Sequence, residues 1–231
     1  MGSSTSVIMP VRNGAVYIAE AVGSVLAQID QDDELIVIDD HSIDDTLSIV
    51  AAIADLRLRM LPSSRSGVSA ARNIGLSAAH GEFIAFLDHD DFWPADRHAV
   101  MLRVLRENSD LDAVFGRVRV RFEPGITPSV QYLEMDGAFL QKSLVGSGLY
   151  RRRILDQIGG FAEDMCFAED MDYSIRLVEA GLRSELCDIE CLVYRRHGSN
   201  VTNDQQGNRE GLYKMIRRKL ARARRHAITA T

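Results

Sequence analysis

Residues 83–91 (FIAFLDHDD) join an apolar run of strand length to three carboxylates, those of Asp88, Asp90 and Asp91. Carboxylates that cluster at the end of a buried strand repel one another and lose hydration, so they usually persist where a cation neutralises them. This segment therefore predicts a divalent metal site. The alternative interpretation is a polar turn that caps the next helix, near Pro94.

Apolar runs of strand length organise the first half of the chain, at residues 7–11, 35–38, 58–61 and 82–87. Between them lie segments in which apolar residues recur at helical spacing, at residues 15–29, 44–53 and 67–79. Three successive β-α units imply parallel strands that are joined by right-handed crossovers and covered by helices on both faces.

The carboxyl ends of these strands are where chemistry is expected, because open parallel sheets bind ligands there, where the strand order reverses. Asp39 and Asp40 follow the second run, just as Asp88 and Asp90 follow the fourth. We therefore expect the two acidic groups to converge on one site, although about fifty residues separate them in sequence.

The second half of the chain has a different pattern. After a helix predicted over residues 95–108, residues 113–122 alternate apolar side chains mostly with arginines, which indicates a half-exposed strand. Pro124, Gly125 and Pro128 then indicate a loop, which we expect to move over a site. The central sheet should therefore be mixed rather than doubly wound.

Composition favours a single compact domain, since 46% of the 231 residues are hydrophobic. No apolar run reaches the roughly eighteen residues needed to cross a bilayer, and the N-terminus lacks the basic-then-apolar pattern of a secretory signal. Cys166, Cys187 and Cys191 lack the spacing of a metal site and suit reduced thiols. These features predict a cytoplasmic protein.

Charge is unevenly distributed along the chain. Residues 209–231 carry eight Lys or Arg against one acid, Glu210, which gives this segment a charge of +7. The rest of the chain carries −13 of the total net charge of −6. Within this tail, a single helical stripe would contain Leu212, Met215, Ile216, Leu220 and Ala223. The tail is therefore predicted to be a basic amphipathic helix, which either attaches peripherally to an anionic inner membrane face or packs back on the domain.

Nucleic acid is not an expected partner, because the main body of the chain is acidic and the basic tail lacks interleaved aromatic residues.

Seven motifs, in this order and spacing, resemble the family 2 glycosyltransferases of the nucleotide-sugar-binding GT-A type. They are residues 6–13 (SVIMPVRN), 34–46 (ELIVIDDHSIDDT), 67–76 (GVSAARNIGL), 81–91 (GEFIAFLDHDD), 159–161 (GGF), 168–172 (AEDMD) and 194–197 (YRRH). The resemblance covers about residues 6–202. It implies an α/β fold of GT-A type, a Rossmann-like nucleotide-diphospho-sugar transferase with a mixed central sheet flanked by helices. This domain would occupy residues 1–207, and the basic C-terminal helix would occupy residues 208–231.

The resemblance also implies an inverting enzyme that moves a sugar from a nucleotide diphosphate to an acceptor hydroxyl. In the D-x-D pair, Asp90 would bind the metal directly and Asp88 would lie near the ribose and a metal-bound water. His197 would complete the metal site or touch the diphosphate, and Asp91 would support the metal shell or begin the next turn. Oxygen ligands favour Mn²⁺ or Mg²⁺ over zinc, and such an ion would neutralise the leaving diphosphate.

Residues for the nucleotide follow from the same resemblance. Asp40 would accept a hydrogen bond from the imide N–H of uracil, Asp39 would support the turn, and Pro10 and Val11 would offer main-chain contacts to the base. Arg72 would either pair with the nucleotide or lock the carboxylate cluster. Residues 146–148 match the segment that lines the sugar pocket in this family. Arg195 and Arg196 would meet phosphate.

Catalysis needs a base, because an acceptor hydroxyl attacks slowly until its proton is removed. Asp170 matches the aspartate of the family's Glu-Asp motif, and Glu169 would orient the loop or contact acceptor hydroxyls. The alternative for Asp170 is an N-cap of the helix that follows. The acceptor would be a glycan, a lipid-linked sugar or another hydroxyl compound, and a homodimer is compatible with the sequence.

Two other functions fit parts of the sequence. The Asp88 loop also resembles the nucleophile loop of haloacid-dehalogenase-type phosphatases, but that motif belongs on the first strand with Thr or Val where this chain has Phe92. The second alternative is a catalytically silent module that binds nucleotide sugars, which would keep its properties without Asp170.

Overall fold

A computed structural model of the protein describes residues 4–126 and 145–229, with side chains for residues 4–126 and 145–225. Within these ranges the strands are β1 (Thr5–Val11), β2 (Glu34–Asp39), β3 (Leu58–Pro62), β4 (Phe83–Phe86), β5 (Ala113–Phe122), β6 (Gly148–Arg151) and β7 (Ser184–Arg196). The helices are α1 (Ile18–Leu26), α2 (Thr46–Ala51), α3 (Val68–Ala78), α4 (Arg97–Glu107), α5 (Arg152–Ile158), α6 (Glu169–Glu179) and α7 (Gln205–Thr229). Two short 3₁₀ helices span Val145–Ser147 and Val201–Asn203. Pro128, part of the predicted loop, lies outside the described residues.

The strands form one seven-stranded sheet in the order β3-β2-β1-β4-β6-β5-β7. β3, β2, β1 and β4 are parallel neighbours, whereas β6 runs antiparallel to both β4 and β5. The predicted β-α units and the mixed sheet are therefore confirmed. Because the chain order reverses between β1 and β4, the carboxyl ends of β2, β1 and β4 meet at one edge, which is where ligands of such sheets bind.

Both faces of the sheet are buried, which explains why the parallel strands are continuous apolar runs rather than alternating ones. On one face, Val7, Met9 and Val37 pack with α1 and α4. On the other face, Ile8 and Ile36 belong to a second cluster, formed with α3, α5 and α6. The core thus fixes the positions of the strand ends that carry the acidic residues.

The first helix is shorter than the spacing predicts. It begins at Ile18 rather than near residue 15, and Val16 is 81% exposed instead of facing the core. The backbone N–H groups of Gly14 and Ala15 donate to side chains of the β2-α2 loop, Thr46 Oγ1 at 2.8 Å and Asp44 Oδ2 at 3.1 Å. These hydrogen bonds hold the β1-α1 loop against its neighbour and delay the start of α1.

The C-terminal helix α7 begins at Gln205, so the domain boundary expected at residue 208 falls inside one continuous helix. Among the described residues, no helix has both the length and the apolar character that a bilayer span requires. Cys187 and Cys191 are buried, Cys166 is exposed, and all three are free thiols.

Gly75 and Gly23 offer a matched test of how closely α3 packs on the sheet. A Cβ on Gly75 would meet Ile8 Cγ2 and would lie 2.9 Å from Ile38 Cδ1, whereas a Cβ on Gly23 in α1 would have no neighbour within 4 Å. We expect Gly75→Ala to lower the free energy of unfolding by about 1–3 kcal/mol through overpacking. Gly23→Ala should raise it by up to about 1 kcal/mol through helix propensity. Urea unfolding of both variants measures the difference, and equal stability of the two would contradict close packing at Gly75.

Candidate active site

The acidic loop that follows β4, which contains Asp88, Asp90 and Asp91, forms one side of the candidate site. The turn is closed by the N–H of Asp91, which donates to the carbonyl of Asp88 at 3.1 Å. Its geometry exposes part of the Asp88 and Asp90 side chains while burying that of Asp91. The three carboxylates at one strand end therefore have different surroundings and different partners.

Asp90 lies against the segment that follows β7. Its Oδ2 is 3.0 Å from His197 Nε2 and accepts a hydrogen bond from Asn200 Nδ2 at 3.2 Å. On the other side of the imidazole, Nδ1 is 2.9 Å from Ser199 Oγ, and the ring of Tyr17 packs against it with centroids 4.7 Å apart. The two residues predicted as metal ligands, Asp90 and His197, are thus adjacent in space.

The pKa of Asp90 reflects this environment. Burial acts to raise it, but the hydrogen bond from His197 and the positive charges of His89 and His197 hold the pKa below its ordinary value. A carboxylate that stays ionised is what a cation site requires. Asn200 and Tyr17 are neighbours of this pair that the sequence analysis missed, and no motif pointed to them.

Asp91 has a structural role rather than an exposed position in the site. It is almost fully buried, and its Oδ1 accepts a hydrogen bond from the backbone N–H of Arg195 in β7 at 2.8 Å. Burial, with the charges of Asp90 and Asp88, raises the pKa of Asp91 well above its ordinary value. Asp91 therefore ties the acidic loop to β7 and supports Asp90 through the backbone.

Arg72 of α3 joins two acidic motifs that are far apart in sequence. Only 3% of its side chain is exposed; Nη2 donates to Asp88 Oδ1 at 2.7 Å and Nη1 donates to Glu169 Oε1 at 2.9 Å. The guanidinium also lies over the ring of Phe161, 5.3 Å from its centroid. Of the two roles expected for Arg72, the structure contains the locking of the carboxylate cluster.

Asp170 lies in the first turn of α6, one residue after Glu169. The N-cap is Ala168, which has a left-handed backbone with φ 56°, so the N-cap interpretation of Asp170 is wrong. Its Oδ1 accepts a hydrogen bond from the N–H of Met171 at 2.7 Å. Burial, reinforced by the charge of Glu169 and opposed by Arg72, raises the pKa of Asp170 to about 7. A carboxyl group that titrates near neutrality is suited to accept a proton.

The residues predicted for the nucleotide base lie at the ends of β1 and β2. The N–H of Asp40 donates to the carbonyl of Val11 at 2.7 Å, and Asp40 Oδ2 accepts a hydrogen bond from the N–H of Gly67 at 2.9 Å. Asp39 accepts the N–H of Ser42 at 3.3 Å and so holds the turn after β2. Pro10 is buried in β1. The carbonyl of Val11 and Asp40 Oδ2 are thus engaged within the protein, and Asp40 Oδ1 lies 3.1 Å from His41 Nδ1. Recognition of a base by these residues stays a prediction.

Other residues that the family resemblance linked to ligands have partners inside the protein. Arg195 Nη2 pairs with Glu20 Oε2 at 2.7 Å and its guanidinium lies over Tyr17, while Arg196 Nη2 donates to Asn203 Oδ1 at 2.7 Å. Both guanidinium groups thus brace neighbouring segments, and a contact of these two arginines with phosphate stays a prediction.

The Gly-Ser-Gly segment at residues 146–148 packs tightly rather than opening a space. A Cβ on Gly148 would lie 2.5 Å from the ring of Tyr150. Its carbonyl accepts a hydrogen bond from Nη2 of the fully buried Arg97 at 2.8 Å. Close packing therefore accounts for a small residue at position 148, and a contact with the sugar stays a prediction.

The small number of protein donors present fits Mn²⁺ or Mg²⁺ better than zinc. Across residues 4–126 and 145–225, no group of three or more His, Cys, Asp or Glu side chains is arranged to hold a metal ion. Asp90 and His197 supply two donors, whereas the carboxylate of Asp88 accepts a hydrogen bond from Arg72. Mg²⁺ typically takes one or two protein carboxylates and completes its shell with water and substrate phosphate, whereas zinc sites use three or four protein ligands.

The chain belongs to Glycosyl transferase family 2, whose sequence profile matches residues 6–168. This membership rules out the phosphatase alternative, and the position of the acidic loop on the fourth strand agrees with that exclusion. A curated relative from Escherichia coli, UDP-Glc:alpha-D-GlcNAc-diphosphoundecaprenol beta-1,3-glucosyltransferase WfgD, is 38% identical over 105 residues, which cover 45% of this chain and 42% of that protein.

Solved structures establish that the fold is GT-A, as predicted. Staphylococcus aureus TarS 1-349 in complex with UDP-GlcNAc superposes with a TM-score of 0.72 at 24% identity, covering 87% of this chain and 61% of that chain. Mannosyltransferase PcManGT from Pyrobaculum calidifontis in complex with GDP-Man and Mn2+ gives a TM-score of 0.70 at 22% identity, covering 94% and 64%. Matches to three curated relatives span 18%, 17% and 42% of their lengths, so the matched segment corresponds to less than half of each.

Proposed function

We propose that this chain is a metal-dependent, inverting glycosyltransferase that moves a sugar from a nucleotide diphosphate, UDP by preference, to an acceptor hydroxyl. The main observation that supports this proposal is the pair of hydrogen bonds made by Arg72, which join Asp88 of the acidic loop to Glu169 beside Asp170. A group suited to the leaving diphosphate and a group suited to the acceptor are thereby held at one edge of the sheet. Family membership and the names of the relatives support the same reaction class.

On the donor side, Asp90 and His197 would hold Mn²⁺ or Mg²⁺, with Asp88 near the ribose and a metal-bound water. The ion, when bound, would neutralise the charge that accumulates on the diphosphate. Asp40, supported by Asp39, would accept the imide N–H of uracil through Oδ1, in place of the exposed His41 ring that now lies 3.1 Å from it. Pro10 and Val11 would line the base.

On the acceptor side, Asp170 would take the proton of the hydroxyl as its oxygen forms a bond to the anomeric carbon. The bond from that carbon to the diphosphate breaks at the same time, and its electron pair leaves on the phosphate oxygen. Attack from the face opposite the diphosphate inverts the anomeric configuration. Glu169, fixed by Arg72, would orient the loop and keep the pKa of Asp170 high enough to accept a proton.

The acceptor is proposed to be a glycan or a lipid-linked sugar, as in the synthesis of polysaccharide or cell-envelope glycans. The support is the E. coli relative, whose name specifies a diphosphoundecaprenol-linked acceptor. A module that only binds nucleotide sugars is the competing function, and the behaviour of Asp170 variants separates the two.

Removal of the Asp90 carboxylate should abolish metal-dependent donor binding, because His197 and Asp88 alone cannot retain the ion. Isothermal titration of UDP in the presence and absence of Mn²⁺ measures this for Asp90→Ala. The matched control is Asp110→Ala, which removes an exposed carboxylate outside the site and should bind like the parent chain. Unchanged metal-dependent affinity in Asp90→Ala would exclude Asp90 as a ligand.

Replacement of Asp170 by Asn should spare donor binding and lower the rate of transfer by about a hundredfold or more, because the amide cannot accept the proton. Single-turnover transfer and UDP titration give the two readouts. Normal transfer by Asp170→Asn would dismiss it as the base, and a parent chain that binds donors but never transfers would favour the binding module.

The pH profile should follow ionisation of Asp170. Because only the ionised carboxylate accepts a proton, transfer should rise with pH through about 7 and level off above it. Glu169→Gln removes a negative charge that raises this pKa, so the acidic limb should move to lower pH. Glu107→Gln, at an exposed position, is the control and should leave the limb unmoved. A limb that stays in place in Glu169→Gln would contradict the assignment.

A further inference from the structure

The C-terminal helix α7 has one face that belongs to the domain. Met215 is buried there in a small cluster with Ala162 and Met165. Cations on the same side pair with acids of the domain: Lys214 Nζ with Asp164 Oδ2 at 3.0 Å, Arg222 Nη1 with Asp172 Oδ1 at 2.8 Å, and Arg222 Nε with Glu179 Oε2 at 2.7 Å. The predicted packing against the domain is thus present, and it removes Met215 from the stripe expected in the sequence.

The opposite face of α7 carries three large members of that stripe, Leu212, Ile216 and Leu220, in contact with solvent, and Tyr213 lies beside them. These four apolar side chains are between 42% and 67% exposed. At 3.6 residues per turn they share one side of the helix. Arg217 and Arg224 border this side on one flank and Lys219 borders it on the other, and all three are exposed. We call these seven residues the outer face of α7.

Acidic side chains hardly interrupt this surface. Among the described side chains of α7 the single carboxylate is Glu210, and it accepts a hydrogen bond from Gln206 Nε2 at 3.0 Å. Residues 1–208 carry a net charge of −13 against +7 for residues 209–231, from the total of −6. An anionic surface would therefore attract this end of the molecule and repel the remainder.

An apolar stripe flanked by cations on a surface helix is the pattern of helices that lie in the plane of a membrane interface. The apolar side chains enter the boundary between headgroups and acyl chains, while Arg and Lys reach the lipid phosphates. Domain packing does not explain the outer face, because the domain already occupies the other side of the helix. We propose that the outer face of α7 binds the surface of a bilayer that contains anionic phospholipid.

This contact would have a consequence for the site, which rests on the proposed function. α7 pairs with α6 through Asp172 and Glu179, and the first turn of α6 carries Glu169 and Asp170. Bilayer attachment through α7 would therefore keep the proposed base close to lipid-linked acceptors. The attachment itself requires no transfer, so it is tested without a measurement of turnover.

The test is cosedimentation of the full chain with vesicles of phosphatidylcholine alone and with about one third phosphatidylglycerol. We expect binding to the anionic vesicles only, and loss of that binding in about 1 M salt, where charges are screened within about 3 Å. Arg217→Gln with Arg224→Gln should lower the partition coefficient about thirtyfold, since each surface cation contributes about a factor of five. Ile216→Ser with Leu220→Ser should lower it at least about tenfold.

Leu56→Ser with Leu186→Ser is the matched control, because both residues are exposed and apolar but lie outside α7. It should bind vesicles like the parent chain, and circular dichroism should show equal helix content in every variant. Three results would overturn the proposal: no binding of the parent chain to anionic vesicles, unchanged binding of Ile216→Ser with Leu220→Ser, or a dimer in sedimentation velocity that this double variant abolishes.

Discussion

The ion pairs of Arg72 hold together the sheet edge that carries the candidate active site. A buried guanidinium would be costly without partners, and here it has two carboxylates, Asp88 from the end of a strand and Glu169 from the start of a helix. The guanidinium is planar, and its Nη1 and Nη2 groups point in different directions. Each carboxylate is therefore held in a fixed position. The distance between the acidic loop and the first turn of α6 is therefore set by one rigid group rather than by loop contacts alone.

The same cluster separates the ionisation of its carboxyl groups. Asp90 is held below its ordinary pKa by the hydrogen bond from His197 and nearby positive charge, against the effect of burial. The pKa of Asp170 is raised to about 7 by burial and by its neighbour Glu169. Paired carboxyl groups whose pKa values are moved apart are a common basis for dividing chemical roles between similar side chains. Here one is suited to carry constant negative charge and the other to exchange a proton.

Much of this arrangement could be predicted from sequence because it follows from periodicity and strand order. Apolar runs that end in acids, as at Asp40 and Asp88, specify both the parallel strands and the edge where their ends meet. What could not be predicted depends on contacts between distant segments. The late start of α1 comes from Thr46 and Asp44 in another loop, and Arg195 has its partner in Glu20 of α1. Helical spacing likewise places Met215 and Ile216 on one stripe. The ion pairs of α7 with the acids of α6 determine which side of the helix faces the domain.

Asp172 makes the C-terminal helix important for the stability of α6. The carboxylate is wholly buried among Arg176 of its own helix and Arg218 and Arg222 of α7. Shortening the chain before Arg218 would remove both cations that α7 brings to this buried charge, a loss that usually costs several kcal/mol. The same helix, α6, carries Asp170 in its first turn. A truncated chain would therefore lose stability for reasons unrelated to lipid, because the C-terminal helix is part of the packing of the domain.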